Sequence, residues 1–291
     1  MPRESGSPRV DAESDFLRAR RHQVLSGLAA RLRGETDDVV QSMSFDEVVA
    51  ALGRRGEHYV GTKVIPISAI VGSVDKVKDF DRRFRPTSAR SRERWERLAR
   101  ASRKGEEIPP IEVYQVGDYY FVQDGHHRVS VAHSLGVKLI EARVTAVDTL
   151  LAPVGVGDRD DLELKHWRRI MLERVPFTGE ARAAVAVDTP AMYGEIAENV
   201  EAWAARHMHA EGAYMDKATM ARRWYEEEYQ PVVELIEEAG VRGATERPTE
   251  AYLRVACERY TLIRDHEWSA EIMAQVTKGK RARKAKPTTG G

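Results

Sequence analysis

The stretch Tyr119-Tyr120-Phe121-Val122-Gln123-Asp124-Gly125-His126-His127-Arg128-Val129-Ser130-Val131-Ala132 decides how the rest of the chain is read. Tyr119 to Val122 are aromatic or β-branched, which suits a pleated, half-buried strand. Asp124-Gly125 supplies turn chemistry, because glycine takes a positive φ without a Cβ clash. Val129, Ala132 and Leu135 then recur at helical spacing, and Gly136 sits where a helix usually stops. The pattern predicts a buried strand, a tight turn and the opening of a helix. Its polar residues collect at the helix N-terminus, where free N–H groups and the helix dipole favour an anion. His126, His127 and Arg128 add donors and positive charge there. Asp-Gly alone is a common turn, and a lone histidine at a helix start often only caps or packs. Five such residues between a strand and a helix point instead to a phosphate cradle.

Outward from the turn, Ile111 to Val116 reads as a strand that Gly117-Asp118 joins to Tyr119 in a hairpin. Pro109-Pro110 breaks the chain before it. Ser91 to Arg103 is predicted helical, with Trp95, Leu98 and Ala99 inward, basic residues outward and Gly105 at its end. Lys63 to Ile67 is a short strand, and Pro66 places it at an edge or a strand end. Asp75 to Pro86 alternates acids and arginines and reads as an ordered loop, where reactive groups commonly sit. Leu139 to Val147 supplies a final strand.

This order of elements, with Asp124-Gly125-His126-His127-Arg128 opening a helix, resembles the N-terminal domain shared by ParB partition proteins, sulfiredoxins and ParB-like free serine kinases. The resemblance spans about residues 63 to 147. It implies an α/β (α+β) fold, a small mixed sheet with helices, followed here by a mainly helical C-terminal domain. The members differ at the turn. Sulfiredoxins carry Gly-Cys-His-Arg, and His126 stands where their nucleophilic thiol would be; an imidazole cannot form the thiosulfinate. Partition proteins carry Gly-Glu-Arg-Arg and follow it with a helix-turn-helix, of which this chain shows no persuasive trace. The free serine kinases, with Asp-Gly-His-x-Arg, are the nearest.

The resemblance implies a nucleotide (ADP, ATP or CTP) with Mg2+, and transfer of its phosphate to a small hydroxyl metabolite such as free serine. It assigns phosphate and nucleotide contacts to Gly125, His126, His127, Arg128 and Ser130, and to Arg83 and Arg85 of the preceding loop. Asp124, as acceptor of the hydroxyl proton or as a ligand to Mg2+ through water, and His126 are the catalytic candidates. The kinases also use a glutamate shortly after the first strand. No glutamate occupies residues 68 to 92, where Asp75, Asp79 and Asp81 stand instead. The reading from a different class is a non-catalytic, nucleotide-sensing regulator associated with DNA or RNA.

Lys+Arg and Asp+Glu both total 46 among 291 residues, so overall charge selects no partner. The single Cys257 excludes an internal disulfide. No apolar run reaches transmembrane length and Met1-Pro2-Arg3-Glu4 lacks a signal-peptide core, so a cytoplasmic protein without membrane contact is expected. Residues 1–62 read as a helical arm. Its first twelve residues are loose, and Leu17, Val24, Leu28 and Leu32 mark the inward face of a basic helix from Asp15 to Arg33. A capping box at Ser44-Phe45-Asp46-Glu47 opens a second helix, through Leu52. Residues 63–150 form the nucleotide-binding domain and 151–277 a helical domain. In the latter, Pro231 kinks or splits a helix from Asp216 to Ala239, and Thr249-Glu250 caps another. Residues 278–291 are a basic tail, disordered when free, able to neutralise nucleic-acid phosphates without reading sequence. The scattered His166, His207, His209 and His266 lack metal-ligand spacing, so no metal site of the protein's own is expected. An oligomer is compatible with all of this.

Overall fold

The computed structural model describes residues 7–32, 42–76, 78–156 and 158–263. The basic tail and the Arg33-Gly34 helix stop lie outside them. The chain forms two compact units, residues 1–166 and 167–291.

The first unit is built on a six-stranded mixed sheet. Its strands are β1 (Met43–Ser44), β2 (Arg54–Pro66), β3 (Ile70–Ser73), β4 (Ile111–Val116), β5 (Tyr119–Asp124) and β6 (Leu139–Thr149), in the order β1-β3-β5-β4-β6-β2. β4 and β5 form the expected antiparallel hairpin, with Tyr114 opposite Phe121, and Gly117 takes φ 57° at its turn. β5 also pairs with β3, and β4 with β6, both in parallel. The strand that delivers Asp124 is therefore held on both sides. This mixed sheet with its helices is the α/β architecture read from the sequence.

β2 is longer than the expected Lys63–Ile67 strand: it begins at Arg54 and pairs antiparallel with β6 along its length. It is an edge strand with mostly exposed residues, so Arg54, Arg55, Glu57 and His58 gave no apolar alternation to read. Pro66 closes it, at an edge where a missing N–H disturbs no central ladder.

Helix α1 (Pro8–Leu32) begins before the expected start, so residues 8–12 are helical. Its buried face includes Asp11, Ala12, Asp15, Phe16 and Ala19, whereas Leu17, Val24 and Leu28 of the expected inward face are about half exposed; the side chain of Leu32 lies outside the described residues. The reason lies in its partner, α3 (Arg92–Arg103). Small Ala12 lets the helices approach, and Phe16 meets Trp95 edge-on at 5.6 Å in a cluster with Ala99 and Val131. Asp15, 1 % exposed, pairs with Arg103 at 2.6 Å and Arg18 at 3.3 Å. Helix α2 (Phe45–Leu52) follows its sequence signals: Ser44 Oγ accepts the Glu47 N–H at 3.4 Å, and Gly53 ends it at φ 78°. Helix α4 (His126–Ser134) packs Val129 into the sheet core beside Ile111, Val122 and Val144. Phe80 and Phe84 of the loop after β3 fill the same core.

Helix α5 (Arg159–Arg174) runs through the boundary of the units. The second unit continues with α6 (Gly179–Ala184), α7 (Met192–Glu211), α8 (Lys217–Trp224), α9 (Gln230–Glu238) and α10 (Pro248–Ile263). Trp224, fully buried, gathers Phe177, Tyr229 and Tyr252 with ring centroids 5.3–5.7 Å away. Pro231 does not split the helix. A π-turn at Tyr225–Tyr229 joins α8 to α9, and the Gln230 N–H reaches Tyr225 O five residues back. The wider turn lets proline, which has no N–H, enter the first turn of α9. Thr249 does not cap α10. It is fully buried, 2.8 Å from the Tyr229 hydroxyl, and accepts the Ala186 N–H at 3.3 Å. The start of α10 is met instead by Glu250, whose side chain accepts the Arg247 N–H at 3.2 Å.

Candidate functional site

The site forms where β5 turns into α4. Gly125 adopts φ 100° and ψ 19°. A Cβ there would lie 2.5 Å from Ile111 Cγ2 and 2.9 Å from Arg128 Nε, so both conformation and space demand glycine. The helix closes its first bond from Val129 N–H to Gly125 O at 3.0 Å, and no side chain caps its start. The earlier amides of α4 thus lack an intrahelical acceptor.

A cavity of about 260 Å3 lies against this turn. Its walls are Asp124 to Arg128 of the turn, Pro109 before β4, Lys76 of the loop after β3, and Arg94, Arg97 and Leu98 of α3. Four cationic side chains therefore surround it, against the single carboxylate of Asp124.

The two histidines differ in setting and share a charge state. His126 is 3 % exposed; its Nε2 lies 2.7 Å from Ser73 Oγ, which accepts the Lys76 N–H at 2.9 Å. Its ring stacks on Phe80 at 5.9 Å and 20°. Burial above all, then Lys76, lowers its pKa to about 4. His127 sets its ring edge-on to Phe80 at 5.2 Å, and its buried Nδ1 has no hydrogen-bond partner. Burial, then Arg94 and Lys76, lowers its pKa to about 4 as well. Both imidazoles are neutral near pH 7. The expectation that they add positive charge is corrected on this point: desolvation next to cations removes the charge and leaves neutral hydrogen-bonding groups.

Arg128 is heavily engaged. Its Nη1 donates to Pro109 O at 2.8 Å and to Pro110 O at 2.6 Å, and its Nη2 pairs with Asp124. Only 14 % of the side chain is exposed. Arg85 is bound to buried Asp81 at 2.7 Å, and Asp81 Oδ1 accepts the backbone N–H of both Arg83 and Arg85. Around that hub the chain bends sharply, with Phe84 at φ 53°. Ser130 accepts Trp95 Nε1–H at 2.8 Å inside the helical layer.

The structure thus brings Asp124, Gly125, His126, His127 and Arg128 to one cavity, while Ser130, Arg83 and Arg85 lie off its lining. Sequence reading missed Lys76, Arg94 and Arg97. On a helix written Arg92-Glu93-Arg94-Trp95-Glu96-Arg97, the only available signal was that Arg94 and Arg97 share a face three residues apart.

Residues 69–153 match the ParB N-terminal domain. The match covers less than a third of the chain and contains β3 to β6, the loop, α3, α4 and the whole cavity. A solved Pnob8-like ParB-N domain, in its C2221 form, is 16 % identical, with 79 % of this chain and 84 % of that chain covered at a TM-score of 0.23. At that score the likeness adds nothing to the fold seen in the strands themselves. No curated protein matches the chain.

Among the described residues, Asp124 is the only carboxylate on the cavity lining, and no group of three His, Cys, Asp or Glu side chains could hold a metal. Mg2+ is commonly held by one or two carboxylates together with substrate phosphates. Any Mg2+ at this site would therefore arrive on a nucleotide, and Asp124 is the one lining side chain of a kind that would hold it. The lining residues do not fit a metal held by the protein alone. No helix of the described residues is long and apolar enough to cross a membrane.

Proposed function

We propose that the ParB-type domain binds a nucleotide through its phosphates at the Asp124–Arg128 turn. The observation that carries this reading is the cavity in which Lys76, Arg94, Arg97 and Arg128 surround the start of α4 with one opposing carboxylate. Uncapped helix amides give directed donors to phosphate oxygens, and the cations supply the countercharge. His127 adds a neutral group, which can donate without charge repulsion from Arg94. Calorimetric titration of the full chain with CTP, ATP, ADP and GTP, each with and without Mg2+, tests it. Saturable binding of at least one, weakening as salt rises, is expected. Absence of heat from all four, at any salt, removes the reading.

Phosphoryl transfer to a small hydroxyl metabolite such as free serine is the second reading. The observation favouring it is the side chain of Asp124, 59 % exposed on the rim of the same cavity. Arg128 holds this carboxylate in place, where it can accept the proton of an attacking hydroxyl while the cations take up charge on the transferred phosphoryl group. His126, buried against Ser73 and Phe80, positions the turn in this scheme. Mass spectrometry after incubation with ADP or ATP, Mg2+ and a panel of hydroxyl metabolites tests it. A phosphorylated product that disappears in Asp124→Asn supports transfer. Binding without any product leaves a nucleotide-sensing regulator, whose contact with DNA or RNA is then measured directly at two salt concentrations.

A further inference from the structure

We infer that Lys76, Arg94 and Arg97 form the subsite for the outer phosphates of the nucleotide, and that Arg128, the arginine of the turn motif, is a positioning residue. The inference rests on the nucleotide reading above. It assigns the anion-binding role to residues outside the Asp124–Arg128 motif.

The argument begins with what Arg128 already does. One guanidinium nitrogen serves two proline carbonyls and the other serves Asp124. These bonds fasten the Pro109-Pro110 segment to the turn, with little of the side chain left open. A phosphate taking Arg128 as its main ligand would strip two backbone carbonyls of their donor and free a carboxylate beside the incoming anion. Both consequences oppose binding.

The side chains of Lys76, Arg94 and Arg97 are in the opposite state. They line the cavity, and among the described residues none of them has an ion-pair or hydrogen-bond partner. Arg94 and Lys76 stand close enough to His127 for both to lower its pKa. His127 also lines the cavity, and its Nδ1, buried behind that surface, has no hydrogen-bond partner. Three cations without partners around one space offer an anion concentrated countercharge. The α4 amides hold one phosphate group at the turn. The wall of Lys76, Arg94 and Arg97 meets what extends beyond it. Affinity should therefore climb with phosphate number, and the α3 arginines should account for the climb.

Calorimetry on the full chain with AMP, ADP and ATP, and with CMP, CDP and CTP, tests this. For the parent protein, triphosphate should bind more tightly than diphosphate, and diphosphate more tightly than monophosphate. The double variant Arg94→Gln/Arg97→Gln should lose on the order of tenfold or more on the triphosphates and little on the monophosphates, since two charge-assisted contacts are removed. Lys76→Gln should follow the same gradient. Arg128→Lys keeps the charge and loses the two-pronged clamp. It should weaken all members of a series by one common factor and lower the melting temperature. The inference is overturned if the parent binds mono- and triphosphates equally, or if the α3 double variant binds triphosphates as the parent does. It is also overturned if the loss in Arg128→Lys grows with phosphate number. Failure of the parent to bind any of the six overturns the nucleotide reading, and this inference with it. Those results are distinct from parent binding that ignores the α3 arginines.

Discussion

At position 125 an alanine would have to hold φ near 100° with its Cβ 2.5 Å from Ile111 Cγ2. Strain of the backbone and the clash with a fully buried isoleucine add, so Gly125→Ala should destabilise by roughly 2–4 kcal/mol. Urea denaturation measures it, and a variant as stable as the parent would show that the turn is not as described. His126 gives the first unit a pH dependence of definite sign. Its folded pKa is about 4, against roughly 6.5 in an unfolded chain. Above pH 6.5 both states are neutral and the residue contributes no slope. As pH falls from 6.5 to 4 the unfolded chain gains a proton that the folded chain does not, so stability declines, and below 4 the decline levels off. The shift corresponds to about 3 kcal/mol across that window. His127, shifted in the same direction, acts in the same range. Stability measured in steps from pH 7 to pH 4 should fall for the parent and fall less for His126→Gln; parallel curves would refute the assignment.

Among the elements, the β4–β5 hairpin and α4 were legible because each carries an unambiguous period and a glycine where the chain must turn. Helix α1 was legible as a helix and misleading as to its face. Leucines and valines at helical spacing look like a core, but alanine, aspartate and phenylalanine are what α1 inserts against α3. Nothing local distinguishes Asp15 from a solvated acid until Arg103, 88 residues away, is beside it. The contrast is measurable. Phe16→Ala should cost about 3–5 kcal/mol and Leu28→Ala less than about 1 kcal/mol, because only the first leaves a cavity. Asp15→Ala should cost about 3 kcal/mol by removing the buried carboxylate that pairs with Arg103 and Arg18. Equal effects at Phe16 and Leu28 in thermal melts would mean that the helix docks by its other face. β2 was underestimated for the converse reason, since an exposed edge carries polar residues on both faces.

For the molecule as a whole, formal neutrality hides a local field. The 46 basic and 46 acidic residues cancel in the sum, yet four cations and one carboxylate share the cavity. The turn half of that cavity could be read from a single run of residues. The α3 half could not, because arginines on an outward face acquire meaning only when folding sets them opposite the turn. All the residues of the cavity lie between Lys76 and Arg128, within the first unit. A fragment of residues 1–166, the whole first unit, should therefore melt cooperatively and bind nucleotide with the affinity of the full chain. Circular dichroism and calorimetry on the fragment check this, and loss of binding in a folded fragment would place an essential group in the second unit.

The cavity draws its walls from three stretches that only the folded state assembles: the loop at Lys76, the α3 helix and the turn at Gly125. An occupant would thus act as a non-covalent rivet between them, since a dissolved chain offers it no equivalent seat. At a hundredfold excess over its dissociation constant a single ligand would add about 2.7 kcal/mol to the work of unfolding. A rise in unfolding temperature can then single out the natural occupant from a mixture before any reaction is known.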